Sequence, residues 1–196
     1  SLEFDISFDW QTLDSYTPSF YEGKSLPGEE AEIKVLANVS INKFSEAFNP
    51  SKFYYEWRIN GLMTRTYSKT GGNMLLFVLD PFTTENLINL KVFSSNKQES
   101  LLAEKTLSLY PRKVVNYIYK DLQNYLLTYS NVVNKKFTDY MVFNDEDLSL
   151  TVEPYYFSSK NNSSPNLIYS WSVNNIPVSN SLETNKMFYK IPPNVN

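Results

Sequence analysis

Alternating apolar and polar residues mark several segments of this chain, and two stretches show the pattern most clearly. Phe53-Tyr54-Tyr55-Glu56-Trp57-Arg58-Ile59-Asn60-Gly61 places Tyr55, Trp57 and Ile59 on one side. Leu167-Ile168-Tyr169-Ser170-Trp171-Ser172-Val173-Asn174-Asn175 does the same with Tyr169, Trp171 and Val173. A period of two belongs to a β-strand with one face in a core. Each copy runs into Asn-Gly or Asn-Asn, residues that tolerate the positive φ of a tight hairpin turn. Both stretches are expected to be the central Trp-bearing strand of a small β-sandwich, which makes the chain two copies of one domain.

The remaining segments extend that expectation. Phe4 to Trp10 alternates and predicts a first strand, and Ala31 to Val39 predicts a second with Ile33, Val35, Ala37 and Val39 inward. Thr17 to Gly28, with its prolines and glycines, predicts a loop. Met74 to Leu79 is apolar on both faces, as in a strand covered on both sides, and Pro81 ends it. Leu87–Phe93 and Leu101–Leu109 close the first domain. Short strands separated by turn signals are the pattern of an all-β sandwich. Tyr110-Pro111-Arg112 is the expected junction, giving domains 1–111 and 112–196, and its shortness restricts their relative orientation.

In the second half, Val114–Tyr119, Leu148–Val152, the Trp171 stretch and Lys186–Ile191 are the expected strands. Leu122, Tyr125, Leu126, Tyr129 and Val133 follow a helical spacing, with Asp121 placed as an N-cap. The Tyr, Thr and Val content of Leu122 to Tyr140 favours strand and loop instead, which is the reading adopted. From Trp57 to Met74 is 17 residues and from Trp171 to Met187 is 16, so the repeat keeps its spacing. Nothing after Pro192-Pro193 corresponds to Leu87–Leu109. The second domain is therefore expected to lack its last strands, which bares an edge beside Trp171. A continuation of the protein beyond this stretch is the simpler explanation. The alternative is a neighbouring subunit that supplies the missing strand by β-augmentation.

Composition narrows the chemistry. Hydrophobic residues make up 42% and charged residues 20% of the 196, a globular balance. The net charge is −3 and the only arginines are Arg58, Arg65 and Arg112, which disfavours nucleic acid as a partner. There is no Cys and no His, which removes disulfides, thiolate chemistry, imidazole bases and the usual zinc and copper ligands. No apolar run is long enough to span a bilayer as a helix, and the chain opens without a basic-then-apolar signal peptide. Catalysis would need paired carboxylates or a Ser-Lys couple, and no spacing singles such a set out. Lys69-Thr70-Gly71-Gly72-Asn73 lacks the ending of a phosphate-binding loop. The chain is therefore not expected to be an enzyme.

Four features remain as candidate sites. Asp145, Glu146 and Asp147 supply hard oxygen ligands suited to calcium, although a polar turn before Leu148 accounts for the same residues. No other cofactor is expected. Tyr54, Tyr67, Tyr155 and Tyr156 are candidates for stacking on a glycan or partner, against the alternative that they fill a tyrosine-rich core and sheet surface. The many Lys and Asn residues raise an intramolecular Lys–Asn isopeptide bond, which needs a buried Lys beside an Asn and a carboxylate. Asn38-Val39-Ser40, Asn161-Asn162-Ser163 and Asn162-Ser163-Ser164 fit the glycosylation sequon.

The Tyr-x-Trp-x-(Ile/Val)-Asn-(Gly/Asn) strand, with the preceding Ile33–Val39 and Leu148–Tyr156 segments, resembles PKD-like and bacterial Ig-like domains. The pair looks like tandem domains in surface proteins of candidate-phylum bacteria with small genomes. Arg58-Ile59-Asn60-Gly61 departs from the Asp-Gly turn of the PKD pattern, and the cysteines of antibody-type domains are missing. The resemblance implies an extracellular, cell-surface protein: a spacer or stalk, or a subunit of a filament, pilus or surface layer that self-assembles or meets neighbouring subunits. The alternative it implies is an adhesin that binds a glycan or protein.

Overall fold

The alternating stretches form antiparallel strands, and the fold is all-β. A computed structural model describes residues 3–42, 49–95, 100–120, 132–133, 148–178 and 185–190. The chain groups into two compact units: Ser1–Ser15 with Lys24–Lys113, and Tyr16–Gly23 with Val114–Asn196.

The first unit is a sandwich of two sheets. One has the order β1 (Phe4–Thr12), β2 (Glu32–Ile41), β6 (Met74–Val78). In the other, β3 (Tyr54–Ile59) pairs on one side with β4 (Leu62–Met63) and β5 (Lys69–Thr70). On its other side lies β7 (Asn86–Phe93), followed by β8 (Leu101–Leu109). The inward positions of both sheets make one core: Ile33, Val35 and Ala37 from β2, Tyr55 and Trp57 from β3, Ile88, Leu90 and Val92 from β7. Lys105 of β8 reaches Asp5 of β1 at 3.4 Å, joining an edge strand of each sheet.

Trp57 is the centre of that core, with 0% of its surface exposed. Its indole N–H donates to the Gly72 carbonyl at 2.7 Å, and Phe8 packs on it with ring centroids 6.1 Å apart. A Cβ at Gly72 would lie 2.5 Å from the Tyr67 carbonyl oxygen, so only glycine lets this loop come close enough to accept the indole proton. The hairpin after Trp57 turns through Asn60 (φ 49°) and Gly61 (φ 83°), the two positive values that the Asn-Gly pair predicts.

Asn86 is a polar member of this interior and is fully buried. Its Oδ1 accepts from the Asp80 backbone N–H at 3.0 Å and from Asn60 Nδ2 at 3.3 Å, and its Nδ2 donates to the Asp80 carbonyl at 3.4 Å. Asn60 Oδ1 in turn accepts from the Leu87 N–H at 2.8 Å. One buried amide thus ties the β3–β4 turn to the β6–β7 connection. The β6 strand differs from its sequence pattern. It lies at the edge of its sheet, with Leu75 buried and Met74 and Val78 exposed, so its outer face is not covered.

The second unit repeats this strand order. β9 (Val115–Lys120), β11 (Leu148–Tyr155) and β14 (Lys186–Tyr189) are neighbours in the order β9-β11-β14, matching β1-β2-β6. β10 (Val132–Val133) pairs with β9; the rest of Leu122–Tyr140, with its helix-or-strand ambiguity, lies outside the described residues. β12 (Trp171–Val173) and β13 (Ile176–Val178) form a hairpin matching β3–β4. Its turn, Asn174 (φ 51°) and Asn175 (φ 64°), repeats the positive φ pair. The core here is smaller: Leu150 and Met187 are buried, with Ile118, Trp171, Val173, Val178 and Tyr189 packed partly around them.

Candidate interaction sites

The two tryptophan strands have the same pattern and different surroundings. β3 has strands on both edges, whereas among the described residues β12 pairs with β13 alone. In β12–β13 the register is Trp171↔Val178, Ser172↔Pro177, Val173↔Ile176. The pair flanking a two-residue turn exchanges hydrogen bonds, so the next pair, Ser172 and Pro177, turns its backbone groups outward. Pro177 brings no N–H to the outer edge of β13, which blunts that edge for further pairing. Ser172 presents both an N–H and a C=O on the outer edge of β12. Trp171 is half-buried, and Ile176 and Ile168 keep 68% and 90% of their surfaces exposed. An edge with backbone groups facing out, beside a half-covered tryptophan, has the geometry that strand addition uses.

A second site lies on the opposite face of the β9–β11 sheet. Leu150, Val152 and Pro154 follow one side of β11, and Thr151, Glu153 and Tyr155 the other. The register Thr151↔Tyr119 and Glu153↔Tyr117 adds two tyrosines to that second side. In a sandwich this would be the solvent face, yet Thr151, Glu153, Tyr155 and Tyr119 are all buried. The Tyr16–Gly23 segment covers them. The Tyr16 backbone N–H donates to the Phe157 carbonyl at 2.8 Å, and the Tyr156 N–H donates to the Tyr16 carbonyl at 2.8 Å. The Tyr16 hydroxyl donates to Glu153 Oε2, which also accepts from Asn162 Nδ2 at 3.2 Å. Phe20 stands edge-on to Tyr119 at 5.3 Å and Tyr21 edge-on to Tyr155 at 5.7 Å. Tyr119 and Tyr155 share a hydroxyl–hydroxyl bond of 2.8 Å, and Tyr169 donates to the Asn162 carbonyl at 2.7 Å.

Burial first, then the hydrogen bond to Glu153 and its charge, hold the Tyr16 phenol well above the usual tyrosine range. Burial, then the charge of Glu153, raises Tyr169 as well. An unfolded tyrosine ionises near pH ~10, while these two resist ionisation in the fold. Their contribution is therefore intact below about pH 10 and is lost as pH rises beyond it, most of it through the buried Tyr16. Denaturant titrations of the full chain on either side of that pH are expected to show an alkaline loss of stability. A Tyr16→Phe variant is expected to lose less per pH unit. Equal alkaline slopes in the two proteins would contradict the assignment to Tyr16.

The residues singled out by sequence fall as follows. Trp57 is buried in the core of the first unit, and Trp171 is half-buried against the smaller core of the second. Tyr54 and Tyr67 belong to the first unit; Tyr54 donates to the Ser68 carbonyl at 3.2 Å and Tyr67 packs against the core. Tyr155 is buried in the tyrosine cluster of the second unit, and Tyr156, beside it, adopts a left-handed φ of 64°. Asp145, Glu146 and Asp147 lie outside the described residues. Among the described residues no cluster of three or more acidic side chains is placed to hold a metal, and no helix is long and apolar enough to cross a membrane. The buried polar residues among those described are Glu56, Ser68, Asn86, Thr151, Glu153 and Asn185, a set without the lysine that an isopeptide bond needs. The role of Tyr16–Gly23 was not visible in the sequence; its signal is the tyrosine pair Tyr117 and Tyr119 on what alternation makes an outer face.

No protein-family model matches the chain, and no curated protein or solved structure matches it significantly.

Proposed function

We propose that this chain is a non-enzymatic structural protein of a bacterial cell surface: a spacer or stalk, or a subunit of a filament, pilus or surface layer. Its β12 edge takes a strand from a neighbouring subunit. One observation carries this reading: the first unit surrounds its Trp strand, and the second, among the described residues, leaves the equivalent edge open. The first unit also specifies what fits there. β7 runs along β3 from Ile88 to Phe93 and turns Ile88, Leu90 and Val92 into the core. A strand with the same alternation would cover Trp171 and take up the outward backbone groups of Ser172.

The sheet composition supports an Ig-like or PKD-like class. In Ig sandwiches strands A, B and E share one sheet and C, F and G the other. The partition of β1, β2 and β6 from β3, β7 and β8 follows that rule. Such sheets, stacked in tandem without disulfides, serve a mechanical role, and the tandem arrangement at an extracellular surface accords with the sequence resemblance.

The test is a proline on the open edge. The outward N–H of Ser172 plays no part in pairing with β13, so Ser172→Pro removes a donor from the docking edge alone. Electron microscopy of the concentrated full chain is expected to show ordered assemblies. Ser172→Pro should abolish them while Ser172→Ala keeps them. Assembly by the proline variant as by the parent, or no assembly by the parent, would contradict the proposal.

A glycan-binding role has one observation in its favour. A cavity of about 270 Å³ on the first unit is lined by Asp9, Trp10, Gln11, Lys34 and Leu36, an aromatic ring among hydrogen-bonding side chains. Lys24 sits 3.4 Å over the Trp10 ring and would have to swing away for a sugar to stack. Saturable binding of an oligosaccharide that Trp10→Ala removes would favour this role over the first.

A further inference from the structure

The covered tyrosine face of the second unit has a ligand of its own. Tyr16–Gly23 is an eight-residue segment without a strand or helix of its own, and it groups with the second unit although the chain on both sides of it belongs to the first. Its grip is that of a bound peptide. Backbone bonds at Tyr16 fix the register, the Tyr16 hydroxyl reaches the buried Glu153, and Phe20 and Tyr21 stand edge-on against Tyr119 and Tyr155. An internal turn, from the Tyr21 N–H to the Pro18 carbonyl at 2.9 Å, presents the two rings together. Tyr16 and Pro18 are buried by this seating.

We propose that this face is a peptide-docking groove whose second occupant is the same Tyr16–Gly23 segment of another copy of the chain. Three features lead there. The groove cannot be left empty at low cost, because emptying it would bare the Tyr119 and Tyr155 rings that Phe20 and Tyr21 now cover. It does not suit an arbitrary peptide, because a hydroxyl must reach Glu153 from a residue whose backbone bonds to Tyr156 and Phe157. The segment belongs to no strand or helix, so it can leave without dismantling a sheet. Two copies can then trade segments reciprocally and remake the segment's own contacts, which is the general route to swapped dimers. This linkage uses the β9–β11 face and owes nothing to the β12 edge.

The test uses two preparations of the full chain that differ only in an affinity tag. They are mixed at high concentration, warmed to just below the unfolding transition, cooled, and captured through one tag. Mixed species carrying both tags are expected. A synthetic peptide copying residues 14–25, in excess during warming, should reduce them about tenfold by mass action, and the peptide itself should be retained on the captured chain. A scrambled peptide of the same composition should do neither. Failure to form mixed species would overturn the proposal. Mixed species indifferent to the peptide would overturn it too and assign the association to another surface, the β12 edge first.

Discussion

Trp57→Ala is expected to cost the first unit about 3–5 kcal/mol, enough to unfold it or leave it marginal. The side chain is wholly enclosed, the Gly72 carbonyl loses its indole donor, and Phe8 loses the ring it packs on. The residual cavity adds to the lost transfer energy, because strands on both sides of β3 prevent collapse. Trp171→Ala, on the matching β12 strand, should cost only about 1–2 kcal/mol in the monomer, because that ring is half-buried and, among the described residues, its strand pairs with β13 alone. Chemical denaturation of the two variants, followed by the circular dichroism of the sheets, checks the contrast. Equal losses would mean that the second tryptophan is as enclosed as the first.

Asn86→Leu is expected to destabilise the first unit by roughly 3 kcal/mol although it buries more apolar surface. Leucine has nearly the right size for the site. It leaves the Asp80 N–H and carbonyl and the Asn60 amide without the amide that now bonds all three. The Asn60 side chain is exposed and can turn to water, but each Asp80 group stranded away from water costs about 1–3 kcal/mol, which outweighs the gain from the extra methyl groups. Asn86→Asp keeps an acceptor for the Asp80 N–H but sets a carboxyl group against the Asp80 carbonyl in a fully buried site, and it too should be less stable than the parent. A thermal melt of each variant measures the loss. An Asn86→Leu variant as stable as the parent would show that the amide network is dispensable.

Much of the first unit was legible because its strands obey one local rule. Ile33, Val35 and Ala37 alternate inward, and so do Tyr55 and Trp57. The Asn60-Gly61 turn announces its own geometry, because only a pair that tolerates positive φ serves there. The edge position of β6 was not legible. Met74–Val78 is apolar on both sides, and alternation says nothing about which strand lies beside it. The shortness of β12 is a related case: the pattern spans Leu167 to Val173, but the strand runs only from Trp171 to Val173. A ladder extends as far as its partners do, and here the only partner among the described residues is the three-residue β13.

The tyrosine groove was hidden for a different reason. Glu153 within β11 looks like a solvent-facing charge, since polar residues at alternate positions normally mark the wet face of a sheet. What buries it comes from well over a hundred residues earlier, and no local pattern reports a contact of that range. Tyr155 has the sequence context of a contact for an outside ligand; in the fold it meets the chain's own Tyr21. Aromatic residues on the apparent outer face of β9 were the available clue, because a sheet face rich in tyrosine is costly to leave in water.

Sedimentation of the full chain over a concentration series tests most directly whether the β12 edge, unpaired on its outer side among the described residues, joins one subunit to the next. The average mass is expected to rise with concentration beyond that of a single chain, and Ser172→Pro should hold it at the monomer. A single monomeric mass for the parent at every concentration would contradict strand addition between subunits.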